Sequence, residues 1–448
     1  MRRALIVSIA ILALFASSAV MAGEQQVSDR LLEILKERQI ISENEFAELS
    51  DLAEEMQDDQ QLSALDASIS EYLAKEGEED EAGVAVKHKK GTGFGFSQGN
   101  FELWIGGLFQ FEYYGLDVEY GTDTNNFRVK EARLHLSGKA FVEGFSYMFK
   151  FLGQGQVSLL DAWVNYKITD GVQIRAGQFK TPYSRQILND PAKLQLMNAS
   201  IVASEFAPGY DVGIMAHDVA ALGEDDDMAI EWALGFFNGD GTNVQGNDNN
   251  WLGWVARVGF YPMGFVKYGE SDLANTQDLK FGVAASVGSF QNRTGIGGST
   301  EQTDLLGFDF VLAWSGFFML AEIHSRSIEQ DVVSTPSGEY DDKGWYIQPG
   351  FVIPDTEFEV IGRYSQIMWD EDRGLDNTSA WQIGVAWYPG QEGHPFKALI
   401  AFGQAKVTYA GGASGPTAGG IPSGSDIAAL AAAHGDTYFL RIAFQLAW

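Results

Sequence analysis

Beyond residue 100 the chain alternates apolar and polar side chains with a period of two. Phe101, Leu103, Ile105, Phe109 and Phe111 fall on one side of the first run, with Glu102, Gln110 and Glu112 on the other. That is the pattern of a strand with one face in a greasy medium and one in water. The rhythm returns at Tyr438, Leu440, Ile442, Phe444, Leu446 and Trp448, set against Thr437, Arg441 and Gln445. Between these two runs, similar ones fall near 127–142, 145–152, 158–168, 171–179, 209–218, 228–237, 251–261, 279–290, 303–314, 316–326, 343–353, 356–367, 379–388 and 396–407. Together they predict about 16 strands, an even number of the kind closed bacterial barrels use.

The connections carry a second pattern. Odd ones, at 117–126, 153–157, 180–208, 238–250, 291–302, 327–342, 368–378 and 408–435, are long. Even ones are short, as at Val142-Glu143-Gly144, Thr169-Asp170-Gly171, Ser315-Gly316 and Pro354-Asp355-Thr356, and 262–278 is the clearest exception. A barrel puts alternate connections on opposite sides of a membrane, whereas a soluble sandwich has no reason to sort loop length by parity. Trp104, Trp163, Trp232, Trp251, Trp254, Trp345, Trp381 and Trp387 lie near run ends and are expected to form interfacial girdles. The fold expected over 99–448 is therefore all-β, a closed antiparallel transmembrane β-barrel.

The chain before residue 99 differs in kind. Arg2 and Arg3, an apolar run from Ala4 to about Phe15, and Val20-Met21-Ala22 give the layout of a cleavable secretory signal over 1–22. Residues 24–90 hold 7 basic and 19 acidic residues, a net of 7 − 19 = −12. Their apolar residues stand at helical spacing: Leu31, Ile34 and Leu35, then Phe46, Leu49, Leu52 and Met56 after a Ser42/Glu45 capping box. Leu62, Leu65, Ile69, Tyr72 and Leu73 approach a coiled-coil seam. A short N-terminal helical or coiled-coil segment is expected at 23–76, periplasmic in place, followed by an acidic and Gly-rich linker at 77–98.

Composition removes several functions. The 448 residues carry 30 Lys plus Arg against 61 Asp plus Glu, a formal charge of −31, which argues against a basic footprint for nucleic acid. Without Cys, disulfides and thiolate metal sites are impossible. Aromatics at 13% and a mean hydropathy of −0.11 fit neither a disordered chain nor a helical membrane bundle. Candidate chemistry is thin. His135 and Ser137 share a face, as polar neighbours must in any wet lumen. The Asn238 to Asn243 loop with Asp248 lacks the terminal Glu of an EF-hand, and the six His show no zinc spacing. No catalytic residue, metal or cofactor is expected, and the chain is not expected to be an enzyme.

Three segments resemble the phosphate-selective porin O and P family of Gram-negative outer membranes. They are Phe127 to Phe151, with its Arg-centred strand and tight turn, Leu159 to Ser184, with Gly177-Gln178-Phe179-Lys180-Thr181-Pro182-Tyr183, and Pro208 to Asp218. The resemblance implies a homotrimer of outer-membrane barrels, the third long loop folded inward, and passage of phosphate or pyrophosphate past basic residues. By alternation alone, Arg133, Lys139, Lys150, Lys167, Arg175, Arg257, Arg326, Arg363 and Arg441 face the lumen. Glu102, Glu112, Asp161, Asp211, Glu231, Asp309, Glu322 and Glu359 face it too. The candidate pore-lining and constriction residues are Arg133, Lys139, Lys150, Arg175, Lys180, Arg185 and Lys193. The expected function is an outer-membrane porin passing small hydrophilic solutes, with a preference for anions. A general diffusion porin with no such preference, a structural or adhesive barrel on a periplasmic stalk, and a soluble ligand-binding β protein remain open on the residues alone.

Overall fold

A computed structural model describes residues 85–89, 93–119, 123–154, 156–223, 227–244, 246–294, 299–331, 338–373, 375–390, 396–409 and 435–448, all within one compact unit, Val84–Trp448. The signal, helical and coiled-coil expectations over 1–76 lie outside them.

A hairpin comes first, β1 (Ala85–Lys89) and β2 (Gly93–Gln98). Sixteen longer strands follow: β3 (Phe101–Val118), β4 (Thr124–Lys139), β5 (Phe145–Gln154), β6 (Gln156–Thr169), β7 (Val172–Lys180), β8 (Tyr210–Leu222), β9 (Met228–Phe237), β10 (Gly253–Tyr261), β11 (Lys280–Thr294), β12 (Ser299–Trp314), β13 (Phe317–Asp331), β14 (Gly338–Val352), β15 (Phe358–Met368), β16 (Leu375–Trp387), β17 (Phe396–Tyr409) and β18 (Gly435–Ala447). Each pairs antiparallel with the next. The ring closes where β18 meets β3, from Thr437 opposite Val118 to Ala447 opposite Leu108, and Gly107 exchanges both backbone hydrogen bonds with Trp448. A closed barrel leaves no edge in the hydrocarbon, so every ladder N–H finds a partner without water. Each of the sixteen expected runs is one of these strands.

The side chains are inverted relative to a water-soluble protein. Outward positions such as Ile214, Val258, Phe308, Ile323, Ile383, Ile400, Phe402 and Ile442 are exposed, while Glu112, Asp211, Arg257, Glu322, Gln348 and Arg441 are buried inside. Only a hydrocarbon bath makes such an outer band favourable over so many strands. Trp254, Trp345, Trp381 and Trp387 sit on that outer face, with Trp381 edge-on to Phe402 and Trp387 edge-on to Phe396. Trp163 and Trp104 do not join the expected girdle. Trp163 faces the lumen, where its indole N–H donates to Asp161 at 3.2 Å. Trp104 shares the inner face of Glu102, and its ring covers Gly95 of β2.

The connections sort by side in the main, with two clear departures: 153–157, expected to be long, is taken up by β5 and β6, which pair up to Gln154 opposite Gln156, and 262–279 is long where parity requires a short turn. Ser315 and Gly316 form a two-residue turn with φ of 48° and 82°, the mirror-image geometry that suits twisted hairpins. Residues 262–279, on that same short-turn side, are long and fold inward. Several strands outrun their sequence signal: β11 to β14 continue as ladders through Arg293, Glu301 and Gln330. Above the hydrocarbon the outer face no longer has to be apolar, so the alternation fades while the hydrogen bonds continue. Within the stretch expected as a linker, β1 pairs with β2, and β2 pairs in turn with the start of β3, Phe94 opposite Ile105 and Gln98 opposite Phe101.

Candidate functional site

Residues 181–209, between β7 and β8, cross the lumen. Three short helical pieces give the segment its shape: α1 (Arg185–Leu188), a 3-10 turn (Pro191–Lys193) and α2 (Ile201–Phe206). Each is capped by a side-chain oxygen, Ser184 to the Ile187 N–H, Asp190 to that of Ala192 and Ser200 to that of Ala203. The caps satisfy donors that so short a helix leaves open. Leu196, Met197, Val202 and Phe206 are buried on this segment. Their seats on the wall are small or apolar: Leu196 and Met197 pack with Ile361, Ala386, Leu399, Ala401 and Ala443. A Cβ at Gly350 would lie 1.9 Å from Gln195 Nε2, and one at Gly344 would lie 2.7 Å from the Phe206 ring, so a larger residue at either wall position would force those side chains to move.

Polar wall residues strap the segment around most of the circumference. Lys150 of β5 reaches Asp190 at 3.0 Å, and Lys180 of β7 donates to the Asn189 carbonyl at 2.7 Å. Arg257 of β10 reaches the Tyr183 carbonyl, and Glu322 of β13 accepts from Ser184 Oγ and the Gln186 N–H. Arg326 grips Glu205, Arg363 the Asn198 carbonyl, Lys397 the Leu194 carbonyl, Arg441 the Asn198 side chain and Gln445 the Ala192 carbonyl. Most inward-pointing basic side chains are thus committed to holding this segment.

The two sides of the lumen differ in consequence. Inward residues on β10 to β18 are almost all buried, as at Val255, Leu320, Tyr346, Gln348, Ile361, Gln382, Leu399 and Ala443. On β4 to β7, His135, Ser137, Met148, Trp163, Gln173 and Arg175 keep partial exposure. Four expected residues come together on this arc: Arg133, Lys150, Arg175 and Lys180. Arg133 pairs with Glu131 at 2.7 Å, but its Nη1 has no hydrogen-bond partner, and neither does Nε of Arg175. The Arg175 guanidinium lies 4.3 Å from the Trp163 ring centre. β-Bulges beside Gln110 and Lys150 shift the register here, and the extra residue between Val129 and Glu131 brings Arg128, opposite Glu112, onto the same inward face as Glu131 and Arg133.

The other three expected residues have different places. Lys139 is exposed at the turn end of β4, opposite Glu102. Arg185 is wholly buried, donating to the Val266 and Lys267 carbonyls and the Tyr261 hydroxyl, with Tyr268 against its face. Lys193 is exposed, and it is its carbonyl that is engaged, by the Glu270 N–H. Lys167, also expected inward, pairs with Asp170 at the rim at 2.6 Å.

Carboxylates on the inward segments are the residues that alternation could not reveal. Partial burial works against the charged form of Asp190. Lys150, the Ala192 N–H and Lys180 outweigh that and hold its carboxyl well below the usual carboxylate range. Glu270 is the reverse case: burial raises its carboxyl despite hydrogen bonds from Gln186, the Gln195 N–H and Gln348. Its one sequence signal was the length of 262–278, which broke the parity of the connections.

A closed barrel with an apolar exterior, a charged interior and a segment folded across its lumen defines an outer-membrane channel rather than an enzyme. The sequence model of the phosphate-selective porin O and P family matches residues 104–424, and the chain belongs to that family. Its fold is shared with solved porins of low identity. An anion-selective porin from Comamonas acidovorans aligns with a TM-score of 0.55 at 9% identity, over 78% of this chain and 100% of that one. The trimer form of OmpT from Vibrio cholerae gives 0.51 at 12%, over 78% and 100%. The channel DcaP of Acinetobacter baumannii gives 0.51 at 12%, over 79% and 99%. No curated protein sequence matches the chain.

Proposed function

We propose that this porin conducts small hydrophilic anions, phosphate among them, along the β4 to β7 side of its lumen. One observation carries the reading: the inward side chains of this arc stay partly exposed, Arg133 and Arg175 among them, and each of these two guanidinium groups has one buried N–H that no protein acceptor uses. An anion at a constriction loses part of its hydration shell, and free N–H donors replace it. Lys150 and Lys180 add positive potential nearby, although Asp190 and Asp161 offset part of it. That balance favours attraction without tight capture, as passage requires. The family's name and one structural neighbour, the anion-selective porin from Comamonas acidovorans, point in the same direction. Homotrimeric assembly, a cleaved leader and a periplasmic N-terminal segment belong to the same reading.

The test is single-channel recording in planar bilayers under a salt gradient. Arg133→Glu and Arg175→Glu are each expected to lower the anion-to-cation permeability ratio several-fold. An unchanged reversal potential in both variants overturns the anion route, and a purified protein that adds no conducting steps overturns the porin reading altogether. Conductance in phosphate compared with chloride then decides the preferred ion.

A further inference from the structure

Two segments enter the lumen from opposite ends, and they meet at one carboxylate. Residues 262–279 fold in from the short-turn side, held at their base by Asp272, which accepts from the Thr276 N–H, the Thr276 hydroxyl and the Gly316 N–H. The tip of this connection places Glu270 among three donors: Gln186 Nε2 at 2.7 Å, the Gln195 backbone N–H at 2.9 Å and Gln348 Nε2 at 2.7 Å. Its own N–H donates to the Lys193 carbonyl at 3.1 Å. Glu270 is fully buried. Gln186 and Gln195 belong to the 181–209 segment, so this side chain ties the constriction to a second, independent element.

We propose that Glu270 is a positioning residue of the channel throat, reaching from the turn side of the barrel to fix the segment folded in from the loop side. The donor set explains why the group has to be a carboxylate. Three N–H groups converge on it, and a carboxylate has two acceptor oxygens where an amide has one plus an unwanted NH2. Gln186 and Gln348 have further acceptors within reach, in each other and in Gln195 Oε1. The Gln195 N–H, buried in mid-lumen, has Glu270 as its acceptor, and a buried backbone donor left open is costly. Loss of the carboxylate therefore acts first on the backbone around Gln195, next to the carbonyls that Lys397 and Arg363 hold. Arg185 alone cannot substitute, since its bonds reach 266 and 267 from the other end of the segment.

The proposal rests on conduction only for one of its two measurements. In the first, Glu270→Ala and Glu270→Gln channels are recorded in planar bilayers, with folding checked by the heat-dependent gel shift of the barrel. Open-channel noise is expected to rise several-fold and the unitary step to change, more in Ala than in Gln. The exchanged pair Glu270→Gln with Gln186→Glu restores a matched donor and acceptor at the 2.7 Å contact and is expected to recover the quiet wild-type step. In the second, deuterium uptake of peptides within 181–209 is expected to accelerate about tenfold in Glu270→Ala and to return toward wild type in the exchanged pair. Folded single variants with wild-type noise and uptake overturn the proposal, as does an exchanged pair no better than its parents. A wild type that conducts nothing counts against the porin reading, while the uptake measurement still decides the role of Glu270. Should the single variants fail to fold, the exchanged pair decides by the same uptake criterion.

Discussion

Arg257 illustrates how the interior of this barrel handles charge. Its guanidinium forks onto Asp309 at 2.5 and 3.1 Å and reaches Glu231 at 3.2 Å, with Ser286 and the Tyr183 carbonyl taking the remaining N–H. All three ionised groups are buried. A pair so enclosed adds little net stability over an apolar substitute, but removing one partner strands the other. Arg257→Met should therefore destabilise by about 3–5 kcal/mol in urea unfolding, and adding Asp309→Leu should recover part of that loss. Equal stability of the single variant and the wild type would mean that water reaches these carboxylates. The inward position of Arg257 was readable from alternation. Its pairing with Glu231 and Asp309 follows from their shared inward face, but its role as a strut was not readable, because the Tyr183 carbonyl it reaches lies on a loop segment that has no periodicity.

Among elements, the strands were legible and the loops were not, for a physical reason. Hydrocarbon on one face and water on the other enforce a period of two for as long as a strand stays in the bilayer. That enforcement stops at the rim, and β11 to β14 were read short for this reason. Trp163 was misplaced by a weaker cue: nearness to a run end suggested the interface, yet the parity that turned Asp161 inward turned Trp163 inward as well. Arg185 and Lys193 could only be assigned to a long loop, whose internal hydrogen bonds decide what each does. β17 offers a test of the outer band. Ile400 projects outward in mid-strand, and Ile400→Arg should cost about 2–4 kcal/mol if it lies near the bilayer centre. The measurement is refolding into lipid vesicles against urea. A cost near zero would place this strand away from the hydrocarbon.

For the whole molecule, the negative sum and the basic arc act at different ranges. Exposed acidic residues crowd the rims, including Glu119, Asp123, Glu143, Asp341, Asp355, Glu371 and Asp372. Their field is felt over about 10 Å at 0.1 M salt but only about 3 Å at 1 M. Arg133 and Arg175, partly shielded from solvent, are screened less. Anion preference should therefore strengthen as salt rises at a fixed gradient ratio, read as a reversal potential. A preference that weakens would assign selectivity to the mouth of the channel.

The seam between β3 and β18 joins residues more than 300 positions apart, Val118 to Thr437 and Leu108 to Ala447. Stitching so distant a pair is slow, because the entropy of drawing the two borders together is spent before any bond repays it. Until then the ribbon has two raw margins whose backbone groups bond only to water, and whose phenylalanines, Phe109 and Phe111 on one and Phe439 and Phe444 on the other, lie uncovered. The hem is sewn only when β18 meets β3.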